Sequence, residues 1–128
     1  VDLKDVVKAL REAVIVGLEF SRSGDCIDMV VEAIAFLEDS GLFNAGIGSV
    51  LDYTGGISMD AGVMSSTGKV GAVAAVTYPR NPIRLARIIL ERTPHVILAG
   101  SRADELAMRL GLEKHPGPHP RVLERWRV

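Results

Sequence analysis

The sequence predicts an α/β chain in which an antiparallel sheet of small residues is covered by helices on one face and by a second sheet on the other. Three observations carry this. Two stretches before residue 40 and two after residue 80 repeat their apolar residues at three- and four-residue steps, the period of helices. Between them, Gly55-Gly56 and Ser66-Thr67-Gly68 break residues 49–78 into strand-like runs. Along Val70–Val76 neither face is polar, since Val70, Ala72, Ala74 and Val76 alternate with Gly71, Val73 and Ala75, and a strand apolar on both sides lies between two layers. Only 5% of the 128 residues are aromatic against 48% hydrophobic, so the layers are built from small side chains and approach closely. Such a sandwich needs more strands than this chain supplies.

Leu3, Val6, Val7, Leu10, Ala13, Val14, Gly17 and Leu18 mark a first helix expected to cover the core with one face and to break at Ser21–Gly24. Asp25, with Asp28 three positions on, reads as the N-cap of a second helix running to about Asp39. Its apolar residues Ile27, Met29, Val30, Val31, Ala33, Ile34, Phe36 and Leu37 predict extensive burial, with Asp28, Glu32 and Asp39 as a wet edge. Ser40–Gly48 has neither period and reads as a shaped loop. Strands are expected at 49–52, 57–65 and 69–78, joined as antiparallel hairpins. Asn81-Pro82 supplies an N-cap and first position for a third helix, with Arg84, Arg87 and Glu91 on its wet side. Pro94–Gly100 reads as a strand or extended connection, Ser101 as the cap of a fourth helix and Gly111 as its end. These make a core unit of residues 1–113, followed by an extended tail at 114–128.

Fifteen Lys and Arg against sixteen Asp and Glu give a net charge of -1, which supplies no general attraction for nucleic acid or anionic lipid. No apolar run approaches the roughly 20 residues needed to span a bilayer. The lone Cys26 makes no intrachain disulfide, and the cytoplasm is the expected compartment.

Several motifs fail on inspection. Gly46-Ile47-Gly48 follows a helix and has Leu51 where a dinucleotide fingerprint needs its third glycine. Gly62–Lys69 has one residue too many for a phosphate loop, and a hairpin turn explains it better. Cys26 in the first turn of a helix has the position of an activated thiol, but a small buried residue is the favoured reading. His115 and His119 are separated as metal ligands can be, yet a solvated tail is favoured for them, and His95 stands alone. Asp60 interrupts an apolar strand. A carboxylate accepting backbone or Arg hydrogen bonds and holding the sheet is favoured there over a general base. Asn44, in the glycine-rich loop, is the side chain best placed to orient something. These pieces make no complete catalytic set.

The runs Leu42-Phe43-Asn44-Ala45-Gly46-Ile47-Gly48-Ser49-Val50-Leu51, Ser58-Met59-Asp60-Ala61-Gly62-Val63-Met64 and Val70-Gly71-Ala72-Val73-Ala74-Ala75-Val76 closely resemble the α-subunit of plant-type L-asparaginases, which are also isoaspartyl peptidases. Asn81–Arg87, Thr93–Gly100 and Ala103–Ala107 continue the likeness, which spans most of residues 10–113.

The resemblance implies an N-terminal-nucleophile hydrolase with a four-layer αββα sandwich. In that family a precursor cuts itself, and the new N-terminal Thr of a β-subunit attacks the side-chain amide of asparagine or the isopeptide carbonyl of a β-aspartyl peptide. The free amine of that Thr serves as its own base, which accounts for the missing triad. The resemblance further implies an (αβ)2 heterotetramer and a structural sodium ion. Its main-chain ligands map onto Leu37, Glu38, Ser40, Phe43, Ala45 and Ile47, and Asn44 maps onto a residue positioned beside the nucleophile. No organic cofactor is implied. The family's opening His-Gly-Gly-Ala-Gly strand and its Thr-Val-Gly cleavage motif are missing from this sequence, as expected of a trimmed α-subunit. The alternative is a non-catalytic scaffold subunit or inactive copy of the same fold.

Overall fold

Asp2 starts the first helix by accepting a hydrogen bond from Lys4 N at 2.9 Å, and α1 runs over Leu3–Glu19. A reciprocal pair starts the second. Asp25 Oδ1 accepts from Asp28 N while Asp28 Oδ2 accepts from Asp25 N, the capping box that opens α2 at Cys26–Ser40. These features belong to a computed structural model that describes residues 1–22 and 24–126. The expected break at Ser21–Gly24 therefore includes one position, 23, outside the described residues, and the expected tail includes two, 127 and 128.

The two helices meet through α1's smallest residues, Ala9, Ala13 and Gly17, all buried. A Cβ on Gly17 would stand 3.0 Å from Met29 O and 3.4 Å from Ala33 Cβ, so glycine lets the backbones approach. This corrects the expectation that the whole apolar stripe of α1 covers the core. Leu3, Val7, Leu10, Val14 and Leu18 form a stripe beside the contact and remain exposed, because the small residues take the seam with α2. The burial expected of α2 is also narrower than its composition suggested. Val31, Ala35 and Glu38 face inward, whereas Val30 and Ile34 are exposed.

The sheet has three strands in the order β1 (Met59–Met64), β2 (Val70–Val76) and β3 (Ile97–Ala99). β1 and β2 pair antiparallel across a tight turn at Ser65–Lys69, as the hairpin reading required. β3 instead pairs parallel with β2, after the crossover through the third helix. The strand expected at 49–52 shrinks to one bridge, Leu51 to Ile57. Asp52 explains why, since its Oδ1 accepts from Thr54 N at 2.8 Å, Thr54 Oγ1 at 2.6 Å and Gly56 N at 3.0 Å, curling the chain into a side-chain-mediated turn. Those bonds, the Thr54 hydroxyl first, hold the Asp52 carboxyl below the usual carboxylate range.

Between the Met59–Val76 and Ala61–Val73 pairs, Ala74 and Ala75 oppose the single residue Asp60, forming a β-bulge. Ala75 takes a left-handed φ of 54°, and its N–H donates to Asp60 Oδ1 at 2.8 Å. Asp60 thus holds the sheet, but it is exposed rather than buried, because β1 turns it to the face away from the helices.

α3 (Pro82–Arg92) and α4 (Gly100–Arg109) cover one face of the sheet, and α4 starts one residue before the expected Ser101 cap. Val31, Val63, Val73, Val76, Ile83, Leu85 and Ile89 form the core with Ala103 and Ala107. Gly71 is required there, since a Cβ would strike Ala86 O and the Leu90 backbone. The opposite face, with Met64 66% exposed, has no cover among the described residues.

The wet edges expected on α2 and α3 face each other. Asp28 pairs with Arg87, Glu32 receives two bonds from Arg84 at 2.7 and 3.1 Å, and Asp39 accepts from Arg80 Nε at 2.9 Å. The Arg84 hydrogen bond holds the Glu32 carboxyl below its ordinary range.

The extended tail is corrected as well. Residues 120–126 form the helix α5 (Pro120–Trp126), and the segment leading to it lies on the glycine-rich loop. Trp126 Nε1 donates to Asp52 O at 2.9 Å, and its ring fits over Gly55, so side-chain ties hold a segment whose composition read as solvated.

Candidate active site

The loop that follows α2 is shaped by its own hydrogen bonds. Gly41, with φ 69°, ends the helix in the left-handed conformation. Ser40 Oγ donates to Leu37 O at 2.7 Å and accepts from Leu42 N at 3.2 Å, which starts the turn. Ala45 N donates to Phe43 O, Gly48 N to Ala45 O and Ser49 N to Gly46 O, closing a single 3-10 turn at Gly46–Gly48. Carbonyls crowd its concave side. A Cβ at Gly46 would collide with Glu38 O and Glu38 Cβ, and one at Gly48 would collide with Phe43 O.

Asn44 projects from this loop with its orientation settled by chemistry. Its Oδ1 accepts from Val50 N at 2.9 Å, which leaves the Nδ2 amide as a donor. It lines a pocket of about 410 Å3 with Phe43 and Val50 on one wall and Arg121, Arg125 and Trp126 of α5 on the other. That volume falls within the range of about 300–1,000 Å3 usual for small-molecule sites.

Four of the expected cation ligands, Leu37, Glu38, Phe43 and Ala45, have their carbonyls in contacts at this bend. Leu37 O accepts from Ser40 Oγ, Phe43 O from Ala45 N and Ala45 O from Gly48 N, and Glu38 O lies against Gly46. A hard cation fits such a set of neutral oxygens. Among the described residues no group of three or more His, Cys, Asp or Glu side chains comes together to hold a metal ion.

Glu38 contributes its side chain too, which sequence reasoning missed. It is 3% exposed, with Oε1 accepting from Ile83 N at 3.1 Å and Oε2 from Asn81 Nδ2 at 3.0 Å. Asn81 stands at the N-cap of α3 as expected, but its side chain makes no capping bond. The carboxyl of Glu38 caps α3 from the neighbouring helix instead, beside the positive end of its dipole. Burial nevertheless dominates, and it pushes the Glu38 carboxyl from 4.5 up to about 7 against the opposing hydrogen bonds from Asn81 and Ile83. The available signal was positional, since Glu38 continues the buried spacing of Val31 and Ala35.

His115 is the second missed residue, buried with Nε2 at 3.0 Å from Gly46 O and Nδ1 accepting from Gly117 N at 3.0 Å. His119 accepts from Arg121 N and lies over Gly41. Neither histidine has the solvated position expected of it. A third is Asp104 on α4, which accepts from Thr77 N, Thr77 Oγ1 and Tyr78 N and anchors the end of β2. Cys26 is exposed, correcting the expectation of burial, because it falls off the Val31–Ala35–Glu38 stripe. His95 is exposed before β3.

With this geometry in place, the family model described as asparaginase matches residues 1–127. The chain belongs to the asparaginase family. This asparaginase-family chain is 52% identical over 108 residues to a plant-type L-asparaginase of Pyrobaculum calidifontis, covering 84% of the chain and 36% of that protein. It is 42% identical over 123 residues to a plant-type L-asparaginase of Pyrococcus horikoshii, covering 95% of the chain and 40% of the relative. It is also 42% identical over 110 residues to an isoaspartyl peptidase of Salmonella typhimurium, covering 84% of the chain and 35% of that enzyme. The asparaginase-family sequence therefore spans little more than a third of the length of these relatives. No helix among its described residues is long and apolar enough to cross a membrane.

Proposed function

We propose that this chain is the α-subunit part of a cytoplasmic amidohydrolase acting on the side-chain amide of L-asparagine, on β-aspartyl peptides, or on both. The observation that carries the reading is Asn44. Val50 fixes its carbonyl oxygen, its amide group is left as a donor on a residue that lines a pocket, and the chain that carries it is similar to relatives named L-asparaginase and isoaspartyl peptidase.

The nucleophile of this reading is an N-terminal Thr on a β-subunit formed by autoproteolysis. Its free amine takes the hydroxyl proton, so the chain described here needs no catalytic base. Asn44 positions and does not transfer a proton, because an amide has no titratable proton near neutral pH. The uncovered apolar face of the sheet is where a second sheet completes a four-layer αββα sandwich, and two αβ units make the heterotetramer. Sodium is the cation of the bend, held by the carbonyls of Leu37, Glu38, Ser40, Phe43, Ala45 and Ile47. Its positive charge would offset their dipoles and stiffen the loop that carries Asn44.

The test is hydrolysis by the purified full-length protein, measured as ammonia release from L-asparagine and as cleavage of a β-aspartyl dipeptide. One or both are expected, and Asn44→Ala is expected to lower kcat by about tenfold or more, in line with the loss of one positioned hydrogen-bond donor. Inactivity on both substrates overturns the proposal.

A further inference from the structure

Gly46 is held from two sides. Its carbonyl oxygen accepts from Ser49 N at 3.1 Å and faces His115 Nε2 at 3.0 Å, so both lone pairs are engaged. Its Cα, with φ 55°, is pressed against Glu38 of α2, where no side chain fits. The His115 ring has one consistent protonation pattern. Gly46 O only accepts, so Nε2 carries the hydrogen, and Gly117 N only donates, so Nδ1 is the acceptor. The neutral ring is thereby satisfied at both nitrogens while buried. Two residues before Gly46 stands Asn44, whose orientation depends on Val50 N at the far end of the same turn.

We infer that His115 is a positioning residue for Asn44, acting through the Gly46 carbonyl, and that residues 115–126 are a clasp on the active-site loop. His115 is the central pin. His119 over Gly41 and Trp126 on Asp52 O and Gly55 tie the same segment to the two ends of residues 41–55. The arrangement joins groups 69 residues apart and leaves the loop's 3-10 turn with a fixed exit toward Val50. The functional half of this inference rests on the amidohydrolase reading, whereas the mechanical half does not.

The experiment compares His115→Gln with His115→Asn in the full-length protein. Gln reaches out to place an amide N–H where Nε2 stands, and Asn places a polar atom only where Nδ1 stands. Amide hydrogen exchange is read at Ala45, Gly48, Ser49 and Val50, with Val63 and Val73 of the sheet as internal controls. Loss of one buried hydrogen bond is expected to speed loop exchange in His115→Asn by about tenfold, with the sheet unchanged. His115→Gln is expected to stay within about threefold of the unaltered protein, since the bond is retained. With substrate, kcat is expected to fall in His115→Asn and recover in His115→Gln, with KM nearly constant, since a misplaced Asn44 affects the reacting geometry more than substrate binding. Equal loop exchange in the two variants overturns the pin. Faster exchange in His115→Asn with kcat unchanged overturns its role for Asn44. A full-length protein inactive on both substrates refutes the amidohydrolase reading, and exchange still decides the clasp.

Discussion

Replacing Glu38 with Gln should remove a specific slope from the pH dependence of stability. Burial raises the Glu38 carboxyl from 4.5 to about 7 in the folded chain, and unfolding returns it to water. Between those values the folded state binds a proton that the unfolded state releases. The stabilisation is therefore full below about pH 4.5 and is lost as pH rises through about 7. At about 1.4 kcal/mol per tenfold change in proton affinity, the difference comes to about 3 kcal/mol. Asp28, Glu32 and Asp52 shift in the opposite direction, so their contributions fade below the ordinary carboxylate range and leave the window clear.

The assay is the urea midpoint of the unaltered protein and of Glu38→Gln at half-unit steps from pH 5 to 8. Gln keeps a carbonyl oxygen for one of the donors Ile83 N and Asn81 Nδ2 and sets its amide N–H against the other, so its absolute stability falls at low pH. The difference between the two proteins is expected to narrow by about 3 kcal/mol as pH rises across the window. Parallel curves would refute the reasoning and mean that Glu38 stays ionised throughout.

Gly71→Ala is expected to cost about 3 kcal/mol or more, since its Cβ meets the α3 backbone rather than a movable side chain, and denaturant unfolding measures it. Asp104→Ala should cost about 3 kcal/mol, because it leaves the N–H groups of Thr77 and Tyr78 without their acceptor, and the same measurement reads it. Asp60→Ala leaves Ala75 N without its carboxylate in a left-handed bulge, and an exposed bond of this kind is expected to cost about 1 kcal/mol, with faster exchange of the Ala75 amide.

The sequence carried local structure well and long-range structure poorly, for a physical reason. Capping boxes, turns and periodic stripes act within a few residues, so Asp25 with Asp28, the hairpin at Ser65–Lys69 and the helices from Leu3, Cys26 and Pro82 were all legible. The same pattern does not say which stripe finds a partner. Ala9, Ala13 and Gly17 won the α1 seam over larger neighbours because close backbone approach favours small residues. Asn44 and the bend around it were visible as a glycine-rich loop, and the motifs named their family. Glu38 as a cap for α3 and His115 as a pin on Gly46 were not visible, because each joins residues more than 40 apart. A proline-punctuated segment reads as extended until the partners of its histidines and Trp126 are known.

The autoproteolytic amidohydrolase reading is tested most directly by the intact mass and N-terminal sequence of the polypeptides in the purified native protein. Two chains are expected, one containing residues 1–128 and a companion that begins with Thr. A single uncut polypeptide, or a companion with any other first residue, would contradict it.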